Sequence, residues 1–81
     1  MNLTLLGRQA CHLCDKAADA LAALRDEFHL VVTSVDIDGH DDLVRDFGVR
    51  IPVVLGPDGE VLAEGIVTEA KLAMEFGRLC E

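Results

Sequence analysis

Cys11 and Cys14 stand three residues apart in the segment Cys11-His12-Leu13-Cys14. Thiols at that spacing support two kinds of chemistry. They can exchange with a disulfide, or they can supply half of the four ligands that tetrahedral zinc generally takes. A zinc site needs two more donors, and the chain has neither a second such cysteine pair nor a closely spaced histidine pair. His12, His29, His40 and Cys80 are scattered along it. Exchange is therefore the favoured reading and no metal ligand is assigned. An iron–sulfur cluster bridged between two molecules stays open as an alternative.

Exchange requires a thiolate. Cys11 falls where a short apolar segment ends and a helical pattern begins, so it meets the unpaired N–H groups and positive dipole end of that helix. Cysteines so placed reach pKa values of roughly 3.5–7.5, against about 8.5 when free. Cys14 lies one helical turn deeper, its side chain directed back toward Cys11. Cys11 is thus the expected nucleophile and Cys14 the resolving thiol. His12, as an imidazolium, would favour the thiolate, and Asp15 would oppose it. Arg8, Lys16, Arg50 and Lys71 are expected near the same end. Together they would form an anion-tolerant patch suited to an anionic thiol or to a disulfide partner with acidic groups.

The elements that must hold this pair follow from periodicity. Residues 2–6 read as a strand. From Leu13 the apolar residues Ala17, Leu21, Leu24 and Phe28 recur every three or four positions, one face of a helix lasting to about Glu27. Residues 30–36 are β-branched and largely apolar, as a buried parallel strand would be. Asp38 and Gly39 are caps for a short helix through Phe47, with Gly48 expected to end it in the left-handed conformation. Residues 52–56 and 60–64 are strands joined by Pro57-Asp58-Gly59, a hairpin signal. Thr68 can cap a last helix whose apolar stripe is Leu72, Phe76 and Leu79, with Val67 and Leu72 as its staple. The order is β-α-β-α-β-β-α. It predicts an α/β fold, a four-stranded mixed sheet with helices on both faces and the first strand inside it.

Composition bounds the rest. Eighty-one residues make one domain, taken as residues 1–81. A net charge of −8 and only three aromatic residues argue against nucleic acid as a partner. The N-terminal apolar patch is too short for a signal peptide, and Arg8 follows rather than precedes it. No apolar run approaches the roughly 18 residues a membrane span needs. The expected location is the cytoplasm, where close cysteine pairs are more often catalytic or metal-binding than structural.

The strand–CxxC–helix start, the Arg50-Ile51-Pro52-Val53 segment before the hairpin and the turn at Gly65 into the last helix resemble the thioredoxin superfamily. Length and element order are similar to small glutaredoxin-like proteins, over nearly the whole chain. His12 and Leu13 stand where glutaredoxins often carry Pro and Tyr. The resemblance implies a thioredoxin-like fold and a cis Ile51–Pro52 bond facing the cysteines. It also implies that the Ile51 backbone meets substrate in strand-like fashion. Residues 65–69, including Gly65, Thr68 and Glu69, would grip glutathione, aided by Arg8, Lys16 and other positive side chains near the motif. The activity implied is that of a monomeric thiol–disulfide oxidoreductase acting on protein or glutathione mixed disulfides. It would carry no bound cofactor, with glutathione as a candidate co-substrate. A non-catalytic redox-sensing or binding module is the alternative, and Cys80 is read as a surface or tail cysteine.

Overall fold

The computed structural model describes residues 1–79. Its architecture starts from the alternation in β1 (Asn2–Gly7), where Leu3 and Leu5 join one core cluster and Leu6 joins another. A strand apolar on both faces must be covered on both, which places it inside a sheet. The chain continues through α1 (His12–Phe28), β2 (Val31–Asp36), a 3₁₀ turn (Ile37–Gly39) and α2 (Asp41–Phe47). It ends with β3 (Val53–Leu55), β4 (Val61–Glu64) and α3 (Glu69–Leu79). Strand order is β2-β1-β3-β4, with β1 parallel to β2 and antiparallel to β3, and β3 antiparallel to β4.

The larger core lies on the face covered by α1 and α3. Ala17, Leu21 and Leu24 of α1 and Leu72 and Phe76 of α3 pack there with Leu3, Leu5 and Val54 of the sheet. Phe28 and Phe76 meet edge to face with ring centres 5.3 Å apart. The other face buries only Leu6, Ile37 and Val53, with Leu43 and Phe47 of α2 half-buried against them. The hairpin turns at Gly59, whose φ of +82° is cheap for glycine alone. Thr68 caps α3, its hydroxyl accepting the Lys71 N–H at 3.2 Å.

The structure corrects several expectations. The strand over residues 30–36 is parallel to β1 but is not buried. It is the edge strand, with Val31, Thr33, Ser34 and Asp36 exposed and only Val32 and Val35 half-covered. A β-branched run fits a pleated surface equally well at an edge and in the middle. Gly48 is not left-handed; its φ is −53°. A Cβ there would lie 2.5 Å from the Val44 carbonyl oxygen, so close approach, not a special dihedral, explains the glycine. Asp38 and Gly39 lie in the 3₁₀ turn, which Asp36 caps by accepting the Asp38 N–H, while α2 starts after His40 with no side-chain cap. Leu13 and Leu79 fall outside the apolar stripes assigned to them and are exposed, which excludes a core role for Leu13 but not an apolar contact facing substrate; Cys14 takes the buried place near the start of α1. Cys80 lies outside the described residues.

Candidate functional site

Gly7 ends β1, and four residues later the chain enters α1. Ala10 makes the turn in the left-handed region at φ 56°, a conformation a non-glycine residue adopts only at some cost. Cys11 follows as the N-cap of α1, with extended backbone, and its Sγ accepts the Cys14 N–H at 3.2 Å. Ser, Thr, Asp and Asn are the usual side chains in this position; here the acceptor is sulfur. One N–H of the first helical turn, that of Cys14, therefore points at the Cys11 sulfur, at the end of the helix whose dipole favours negative charge.

Cys11 and Cys14 are joined as a disulfide, their Cα atoms 5.2 Å apart. Cys11 is half-buried and Cys14 buried. Cys11 is thus the more accessible of the two. Cys14 packs so closely on the end of β1 that a Cβ at Gly7 would lie 3.1 Å from its Sγ. Gly7 thus leaves the space in which the inner sulfur sits.

Carrying the β1–β3 register one step beyond Leu6↔Val53 sets Pro52 beside Gly7. The Ile51–Pro52 bond is cis. The Pro52 carbonyl accepts the Gly65 N–H at 2.9 Å, which ties the β4–α3 turn to this segment; Gly65 itself has φ +73°. The Ile51 N–H donates to Phe47 at 3.1 Å. Of the two residues of the cis bond, Ile51 has a carbonyl that accepts none of the loop and turn backbone hydrogen bonds among the described residues, whereas that of Pro52 is taken.

The basic residues behave differently from one another. Arg8 pairs with Asp38 at 2.9 Å, while its Nε is shielded from solvent and unpartnered. Arg50 pairs with Glu64 at 2.7 Å, and its guanidinium lies 4.9 Å from the Phe47 ring centre. Lys16 and Lys71 join no ion pair among the described residues. His12, Thr68 and Glu69 are exposed. A shallow cleft lined by Gly7, Arg8, Cys14, Asp15 and Ser34 approaches the inner cysteine from the β2 side. No group of three or more His, Cys, Asp or Glu is placed to hold a metal ion among the described residues.

Residues 2–76 match the model of the glutaredoxin-like domain family (DUF836). The chain belongs to this glutaredoxin-like family. An uncharacterized protein of Mycobacterium tuberculosis is 34% identical, the match covering 95% of this chain and 84% of that protein. A Xanthomonas campestris protein of known crystal structure is likewise 34% identical, with a TM-score of 0.82 over 94% of this chain and 96% of the other. A thioredoxin variant from Halobacterium salinarum, 23% identical, shares the fold with a TM-score of 0.56 over 91% of this chain and 67% of its own. The glutaredoxin-like chain therefore has a thioredoxin-like fold.

Sequence reading located the cysteine pair and Pro52 but missed Gly7, Ala10, Asp38 and Glu64. Gly7 had a faint signal, a glycine closing a strand just before the motif. The two acidic residues had none, because their partners lie 30 and 14 positions away.

Proposed function

We propose that the chain is a thiol–disulfide oxidoreductase acting through Cys11 and Cys14 on protein or glutathione mixed disulfides in a reducing, cytoplasmic compartment. The observation that carries this reading is the Cys11 sulfur at the N-cap of α1, accepting a helix N–H. In the reduced pair, the Cys11 thiolate attacks one sulfur of the substrate disulfide. A bond forms from Cys11 to that sulfur, the substrate's S–S bond breaks, and the departing thiolate takes up a proton. Cys14 then loses its proton and attacks Cys11 Sγ, closing the Cys11–Cys14 disulfide and releasing the second thiolate. Two electrons pass to the substrate, and a thiol reductant restores the pair. Substrate meets the Ile51 carbonyl and the surface around Pro52.

The test is turnover with thiol reductant in excess. Cys11→Ser is expected to abolish it, and Cys14→Ser to accumulate a covalent mixed disulfide visible by mass spectrometry. Full turnover by the Cys11→Ser protein would overturn the mechanism. Oxidation and reduction without exchange on any disulfide substrate would favour a sensing role.

A further inference from the structure

We infer, building on the exchange chemistry proposed above, that the disulfide taken by Cys11 is carried on a basic, apolar protein segment and not on glutathione. Glutathione presents two carboxylates and one ammonium group, so binding it calls for free cations and free N–H donors. Of the four basic residues expected at this end, only Lys16 and Lys71 join no ion pair among the described residues. The guanidinium groups of Arg8 and Arg50 already face Asp38 and Glu64. A carboxylate that displaced either partner would leave that partner's charge bare in the same place. The spare Nε of Arg8 is closed off from solvent. Three backbone donors at this end are already engaged: Gly65 donates to Pro52, Ile51 to Phe47, and Lys71 to the Thr68 hydroxyl. An anion arriving here also approaches a chain of net charge −8.

What the surface does offer is apolar. Leu13, between the cysteines, is 42% exposed, and Ile66, directly after the Gly65 link to Pro52, is 73% exposed. Val49 is fully exposed two residues before the half-buried Ile51. Three separate segments thus bring aliphatic side chains to the end of the sheet that carries the disulfide. Asp15, Asp36 and Glu69 are exposed on the same segments or their neighbours and join no ion pair among the described residues. A polypeptide with an aliphatic residue next to its cysteine and Lys or Arg nearby satisfies both features. Its backbone N–H can also donate to the Ile51 carbonyl. As in the mechanism above, its S–S bond breaks as the Cys11–sulfur bond forms, and the pair supplies the two electrons.

The experiment measures second-order rates of the reduced protein with three disulfides. These are oxidised glutathione, a cystine peptide flanked by Leu and Lys, and the same peptide flanked by Ser and Glu. The Leu/Lys peptide should react at least about tenfold faster than the other two at low salt. That advantage should shrink as ionic strength rises from about 0.01 to about 1 M, where the Debye length falls from about 30 to about 3 Å. Ile66→Ser should slow the Leu/Lys peptide by about tenfold. Met74→Ser, which removes a similarly exposed apolar side chain from α3, should leave it unchanged. Oxidised glutathione reacting as fast as the Leu/Lys peptide, or an Ile66→Ser protein indistinguishable from the parent, overturns this inference and leaves the exchange chemistry standing. Failure of all three disulfides to react overturns both.

Discussion

The two faces of the sheet are built to different depths. On the α1/α3 face thirteen buried residues form one cluster, whereas on the α2 face three do, and α2 itself buries none. The site draws on both. The cysteine pair is carried by α1, whose small and branched residues lock it to the sheet. The Ile51–Pro52 segment is delivered by the chain leaving α2, whose only cover is half-buried. The proposed exchange would need two sulfurs held in fixed relation and a border that can adjust to a substrate chain. Deep packing on one side and shallow packing on the other supply these two properties, since regions with few buried contacts open most readily.

The comparison breaks most visibly at Phe76. It is fully buried against Phe28, so Phe76→Ala should cost about 3–5 kcal/mol in chemical denaturation. A loss near zero would mean that the α1/α3 face is not the principal core. Gly7 tests the same face at the disulfide. Gly7→Ala forces a methyl against Cys14 Sγ and should cost about 1–3 kcal/mol, as overpacking does. Gly39→Ala, with open space around its Cβ position, should be tolerated within about 0.5 kcal/mol. Equal effects at the two glycines would refute the close approach. The last test lies on the shallow face. Leu43→Ala should cost about 1 kcal/mol, below the range for fully buried leucine, and hydrogen exchange should find α2 amides less protected than those of α1. Protection of α2 equal to that of α1 would erase the distinction between the faces.

Local chemistry made much of this molecule readable beforehand. The three-to-four spacing through Leu24 and Phe28 defined α1, Thr68 announced the start of α3, and Pro57-Asp58-Gly59 announced the hairpin. Each depends on interactions within a few residues, which neighbouring letters can encode. The cysteine pair was legible for the same reason, because one helical turn separates the two sulfurs whatever surrounds them. Leu13 and Leu79 were misplaced because periodicity gives the direction of a face but not where its cover ends.

Sequence alone, then, determined the order of the elements and the identity of the two sulfurs that pair, since both arise from short-range geometry. Tertiary structure decided that β2 lies at the edge, that Gly7 makes room for Cys14, and that Arg8 and Arg50 meet Asp38 and Glu64. Those outcomes depend on which distant segments become neighbours. Charges 30 and 14 residues apart acquire partners only once the sheet has aligned their strands and turns.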